Sequence, residues 1–511
     1  MQWFKLGAIT LGAVLLAACG GGGGSVGGQN NNPNRGDLMQ TPVPRIAGVS
    51  AAEFRAMLNA DTTGQQLLAL TGTPVCGVDV NYIKYGTVGG AGERTNASGV
   101  VMVPTGTDAQ CTGPRPIVLY AHGTVIEKRY NLADWTDRTN PAFAESTLLA
   151  AMYAAQGYIV VAPNYAGYDS SSLGYHPYLN ADQQSKEMID SLNAAKSALS
   201  TLMSPTRASE QLFITGYSQG GHVAMATHRA MEALQPPIPV TASAPMSGPY
   251  ALAAQSDSTF FGMVNAGGTV FSPMIFTSYQ KAYGNLYSSP SDIYESAYAT
   301  GIESLLPGSY TWSTLFTSGK LPQLALFSST APSGLGAQTP PTGFGALDDL
   351  FALGFGTNNL IKNSTRLAYV ADAMAHPDGV FPNINYGNPL ASSTAASPLR
   401  QAAAANDLRG WTPAAPVLLC AGNGDPTVFY SLNTEVMSTL WTGLGPLVTT
   451  LDVDSSITPS DPFGAVKTGF ANAKTATYMA GGAAAVVSTY HGTLVPPFCN
   501  VAARGFFSQF L

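Results

Sequence analysis

The sequence predicts an α/β fold, with a mainly parallel β-sheet between layers of helices and one large insertion late in the chain. Three observations predict it. Short continuous apolar runs alternate with helical stretches over the first half, the pattern of buried parallel strands joined by crossover helices. One such run, LFIT at 212–215, passes through the turn GYSQG straight into a helical stretch. A further strong run, PVLLC at 416–420, returns only after a long segment of different character.

The elements follow in order. Residues 1–18 carry Lys5 and then an apolar run from 6 to 18, too short to span a bilayer and suited to a signal-peptide core. The end of that run, LAAC, resembles a bacterial lipobox, which implies cleavage before Cys19 and lipidation of its sulfur. Gly rather than Asp at position 20 resembles the outer-membrane sorting pattern. Residues 19–45 begin with a Gly- and Asn-rich stretch that can bury no apolar area and read as a flexible tether. The runs 75–87 and 98–104, separated by VGGAGERTN, predict an antiparallel hairpin. The runs 116–120, 158–162 and 212–215 predict parallel strands. Helices are expected at 146–156, stopped by Gly157, at 180–203, capped by Asn180, and at 221–234, ending before Pro236. A strand is expected at 238–244.

From about 250 to 410 the chain is rich in Tyr, Ser, Thr and Gly, with helical pieces at 291–306 and 346–355. A crossover between parallel strands needs roughly a dozen residues, so this segment reads as an inserted cap or lid. The expected organisation is thus a signal peptide (1–18), a tether (19–45), a core in two parts (46–249 and 411–511) and the insert (250–410).

Composition narrows the function. Charged residues make up 10% of the 511 residues and the net charge is −7, with no cluster of Lys and Arg. Nucleic acid is therefore excluded as a partner, because phosphate binding needs grouped cations. Beyond Cys19 the chain has Cys76, Cys111, Cys420 and Cys499. An even number in an exported protein suggests two disulfides with three possible connectivities. We favour Cys76–Cys111 and Cys420–Cys499, since each pair flanks elements expected to be neighbours. The spacings match no zinc site. The acidic stretch 452–456 offers too few ligands in register for calcium.

G-x-S-x-G between strand and helix is a nucleophile elbow. The turn forces Ser218 into a strained conformation, small neighbours let strand and helix approach, and the hydroxyl stands at a helix N-terminus that favours negative charge. A serine needs a base, and the base an orienting acid, expected here in the chain order Ser, acid, His on loops after later strands. Asp425, in the Gly-rich loop after PVLLC, fits the acid; Asp452 and Asp454 are rivals with no clear strand before them. Of six histidines, His122, His176, His222, His228 and His376 all precede that acid, which leaves His491 as the base. The oxyanion hole should use the amides of Gln219, after the nucleophile, and Thr124, in the AHGT loop after the strand at 116–120. His122 is expected to hold that loop.

Over residues 70–511 the chain resembles the α/β-hydrolase superfamily, and within it the secretory lipase group that includes fungal lipase A-type enzymes. The carriers are YAHGT, GYIVVAPNYAGYDSS, GYSQGG, NDLRGWTPAAPVLLCAGNGDPTV and YHGT. The resemblance implies hydrolysis of carboxylic esters by Ser218, Asp425 and His491. No metal or organic cofactor is expected. The expected partners are a small-molecule or lipid ester substrate and a membrane, through the lipid anchor, with the protein a monomer. The aromatic loop 164–178 is expected to shape one side of the pocket or to pack against the cap. A serine peptidase, an acyltransferase and a non-catalytic binding lipoprotein on the same fold are the alternatives.

Overall fold

The apolar runs of the first half lie side by side at the centre of a nine-stranded sheet. The structure is a computed structural model and describes residues 33–511. The strands are β1 (Arg45–Val49), β2 (Gly77–Val88), β3 (Arg94–Thr105), β4 (Gly113–Ala121), β5 (Ile159–Pro163), β6 (Thr206–Tyr217), β7 (Ala242–Met246), β8 (Val417–Ala421) and β9 (Val448–Asp452). In space they run β1-β2-β3-β5-β4-β6-β7-β8-β9. β1 to β3 form an antiparallel edge, and β3 meets β5 antiparallel. From β5 to β9 every pairing is parallel. This is the α/β-hydrolase fold. β5 is buried at every residue, as a central parallel strand covered on both faces must be.

The helices α1 (Ala51–Asn59), α2 (Thr62–Thr71), α3 (Phe143–Met152), α4 (Ala181–Thr201) and α5 (Gln219–Ala233) cover the sheet. Asn180 caps α4 by accepting from the Gln183 amide, as its position predicted. Gly157, at φ 91°, ends the turn after α3. β1, α1 and α2 carry weak sequence signals and were not anticipated. β7 lies further along the chain than the expected 238–244.

Three features differ from expectation. The signal peptide, Cys19 and the tether up to 32 lie outside the described residues, but 33–45 is no tether. Gly36 and Met39 donate from their amides to the Gly86 and Lys84 carbonyls, and Arg35 pairs with buried Asp190 at 3.0 Å. A strand, β9, does end on Asp452 and precede Asp454; its half-buried edge position and Thr-rich sequence hide its apolar signature. No strand directly precedes His491, which was expected on a loop after one; the chain before it is a long helix, Gly464–Thr489, kinked at Gly482.

Between β7 and β8 the insert opens with α6 (Leu252–Phe260) and α7 (Gly268–Tyr283). The expected helix at 291–306 is broken into single turns, with Gly301 at φ 76°. The expected helix at 346–355 shortens to Asp348–Leu353. The insert buries its own apolar cluster, including Phe260, Tyr294, Leu326 and Tyr369, against Ile126, Tyr178 and Leu179 of the body. Buried Arg400 grips Asp257 with two bonds of 2.9 and 2.8 Å and reaches Asp372 at 3.0 Å. Arg409 does the same between Asp378 and Asp407. Both of these buried guanidinium groups are thus paired, as burial requires.

Among the described residues no helix is long and apolar enough to cross a membrane. Both favoured disulfides are formed, Cys76–Cys111 and Cys420–Cys499. They are the chemistry of an oxidising compartment, periplasmic or extracellular.

Candidate active site

Ser218 joins β6 to α5 with φ 60° and ψ −121°, a conformation unfavourable for any residue with a side chain. The turn is so tight that a Cβ on Gly216 would strike the Gly220 and Ala121 carbonyls, and one on Gly220 would strike Ala121. Only glycine fits at both flanks. The turn therefore pushes the Ser218 hydroxyl out above the carboxyl end of the sheet, at the N-terminus of α5.

His491 Nε2 lies 2.7 Å from Ser218 Oγ, and His491 Nδ1 lies 2.6 Å from Asp425 Oδ2. Asp425 Oδ1 accepts from the amides of Thr427 and Val428, at 2.9 and 3.0 Å, so the carboxylate is fixed and buried. With Asp425 accepting at Nδ1, the proton sits there and Nε2 is left to take one from the serine. His491 lies in a π-turn, Tyr490–Leu494, between two helices rather than on a loop after a strand. Such turns are frequent at functional sites because they displace one side chain from the helical path.

The loop after β4 passes close by. A Cβ on Gly123 would come within 3.8 Å of the Ser218 Cβ. The amides of Thr124 and Gln219 have no acceptor among the described residues. The loop is held from below: Tyr165 donates to the His122 carbonyl, Tyr168 to that of Val125, and the Thr124 hydroxyl meets the Tyr178 hydroxyl at 2.7 Å. His122 is fully buried, stacked on Tyr165 at 4.0 Å, and its two nitrogens face the Gly123 and Asn164 carbonyls. It holds the loop, as expected.

Several neighbours were not singled out from the sequence. His176 Nδ1 lies 2.9 Å from the Ala166 carbonyl, to which it must donate. Burial lowers its pKa to about 3, so the ring is neutral and Nε2 accepts from the Gln219 side-chain amide at 2.7 Å. Tyr490 donates to Asp454 and accepts from the Gly424 amide at 3.0 Å, tying the His491 turn to the Asp425 loop. Asp454 also pairs with Lys474, while Asp452 accepts from the Asn423 amide. The two rival acids are thus props behind the site. Tyr490 had one visible signal, its place beside His491 in YHGT.

A cleft, partly open to solvent, runs from Ser218 between α6 and α7. Leu252, Gln255 and Thr259 face it from α6, and Phe271, Ser272 and Ile275 from α7. With Ser256 on α6 and Gly268 on α7, these are the i, i+3, i+4, i+7 positions of two facing helices. Of the aromatic loop 164–178, Tyr178 alone lines the cleft; Tyr165 and Tyr168 are buried beneath it. His222 and His228 are buried in α5, and His376 lies in the insert. The disulfide Cys420–Cys499 joins β8, which leads to Asp425, to the helix Val495–Phe507 that follows His491. Among the described residues no group of His, Cys, Asp and Glu could hold a metal ion.

The prolyl oligopeptidase family profile matches residues 144–233, which hold Ser218 but neither partner. No curated protein sequence matches the chain. Among solved structures it is similar to the rice cell wall degrading esterase LipA from Xanthomonas oryzae, at 26% identity and TM-score 0.62 over 82% of this chain and 91% of that one. A solved structure from Legionella pneumophila matches at 21% identity and TM-score 0.62, over 93% of this chain and 98% of that one. Candida antarctica lipase A follows at 14% identity and TM-score 0.48, over 86% and 81% of the two chains.

Proposed function

We propose that this serine hydrolase of the α/β-hydrolase fold cleaves carboxylic esters, with Ser218 as nucleophile, His491 as general base and acid, and Asp425 as the group that orients it. One observation carries the reading: the unbroken chain from Ser218 Oγ through His491 to Asp425, at 2.7 and 2.6 Å, beside two free amides. The similarity to an esterase at 26% identity supports the ester as substrate.

The steps follow from the geometry. Ser218 Oγ attacks the ester carbonyl carbon as its proton passes to His491 Nε2. The amides of Thr124 and Gln219 stabilise the oxyanion; one such donor is worth about 3–4 kcal/mol. Collapse breaks the bond to the alcohol oxygen, which leaves with the proton from Nε2. Water then repeats the sequence on the acyl-enzyme and releases the acid. The leaving oxygen must lie beside His491 Nε2, and we assign the acyl group to the cleft that runs from Ser218 between α6 and α7.

A peptidase is the second reading, favoured by the prolyl oligopeptidase match. That match spans the elbow and its flanking helices, which ester- and peptide-cleaving enzymes of this fold share. One experiment separates them. The protein is assayed on p-nitrophenyl esters from acetyl to palmitoyl and on peptide p-nitroanilides, with Ser218→Ala and Asp425→Asn alongside. Ester turnover should fall by about 10⁴ or more in each variant. Turnover confined to the anilides would overturn the esterase reading, and ester turnover that survives Ser218→Ala would overturn the nucleophile.

A further inference from the structure

Two residues that line the cleft each carry a buried side-chain amide atom with no partner among the described residues, and the bonds around these atoms fix what each can do. Gln255 lies on α6, is 7% exposed and lines the cleft with Ser218. Its Oε1 accepts from the Phe429 amide at 3.3 Å and from Asn433 Nδ2 at 3.0 Å. The Phe429 N–H can only donate. Asn433 is itself oriented, because its Oδ1 accepts from the Ala251 amide. The Gln255 amide therefore cannot be turned over, and Nε2 is the atom left unpaired. Gln219 is 1% exposed and lines the same cleft. Its Nε2 is committed to the neutral His176, which leaves Oε1 unpaired. An unmade bond at a buried polar atom is costly. The residues that line the cleft thus carry one unsatisfied donor and one unsatisfied acceptor.

We infer that the acyl group bound in this cleft carries a hydroxyl, accepting from Gln255 Nε2 and donating towards Gln219 Oε1. A plain alkyl chain would leave both atoms unpaired. A hydroxyl is a small neutral group that both accepts and donates, so it can pair with a donor such as Gln255 Nε2 and with an acceptor such as Gln219 Oε1. Ser256, Thr259 and Ser272 in the same lining fit a chain that is not purely hydrocarbon. This inference rests on the esterase reading above and gives it a substrate class: esters of hydroxy acids.

The test compares kcat/KM for ethyl hexanoate with ethyl 3-, 5- and 6-hydroxyhexanoate, each corrected for its rate of alkaline hydrolysis. One hydroxy ester should be preferred by about tenfold, the discrimination expected of a site with a buried polar group to satisfy. In Gln255→Met that ratio should fall towards unity; the ratio cancels any general loss of activity. Where Gln255→Met does not fold, the oxo ester at the favoured position decides in the wild type. It can accept from Gln255 but cannot donate, so it should keep part of the preference, and losing all of it would overturn the role of Gln255. Flat ratios in a wild type that hydrolyses ethyl hexanoate, or a preference that survives Gln255→Met, overturn this inference alone. No hydrolysis of any ester by folded protein overturns the esterase reading and this inference with it.

Discussion

Ser218, His491 and Asp425 are each held by neighbours that do no chemistry. The Gln219 side chain, anchored on His176, sits beside the backbone amide proposed to hold the oxyanion. His176 is a positioning residue, since it touches neither nucleophile nor base. His176→Phe removes the acceptor of the Gln219 amide and should lower kcat roughly ten- to a hundredfold while KM stays within about twofold. Equal losses in KM and melting temperature, with kcat unchanged, would reduce His176 to a packing residue. Most of the proposed site was legible at this scale, because chain order and loop position single out one histidine and favour one acid. His176 and Tyr490 were not, because their roles depend on partners far along the chain that no local pattern reveals.

At the scale of the element, α4 carries the most unusual group in the body. Glu187 is fully buried, accepts from Gln183 at 3.0 Å, and has its pKa raised to about 8 by desolvation. In the unfolded chain it ionises near 4.5. Between those values the folded state binds more protons than the unfolded one, so stability is present at low pH and drains away as pH rises towards 8. Glu187→Gln keeps the shape and removes the charge. It should stabilise the protein at pH 8 by on the order of 3 kcal/mol and much less at pH 4.5, as read from denaturant unfolding at the two pH values. Equal effects at both would mean that the carboxyl is not the titrating group. The central strands and the elbow were legible because burial on both faces demands unbroken apolar runs. β9 and the insert's helices α6 and α7 were not. β9 is a half-exposed edge, and α6 reads as polar because its Gln, Ser and Thr residues face a cleft rather than solvent or core.

For the molecule as a whole, the two disulfides and the leader point the same way. We propose that Cys19 is the mature N-terminus, lipidated and holding the catalytic body, as a monomer, at a bacterial envelope. Residues 33–45 pack on the body, so the reach of any tether is set by the residues between Cys19 and Pro33. In cells expressing the full chain, Cys19→Ser should move the protein from the membrane fraction to the soluble fraction with its esterase activity intact. Wild-type protein recovered wholly in the soluble fraction would remove the anchor from the account.

The sequence by itself determined the fold class and the strained serine turn, and it singled out His491 and Asp425 as the proposed base and acid, because each is written in residues near one another or in strict chain order. It also named the cysteine pairs, since few elements can be neighbours of each. Tertiary structure alone decided what surrounds them. Which glutamine atoms are left unpaired, which acids merely prop the site, and where the acyl cleft runs depend on side chains that meet across hundreds of residues. Hydrogen bonding is decided by distance and direction in space, and a linear pattern of residue types carries neither.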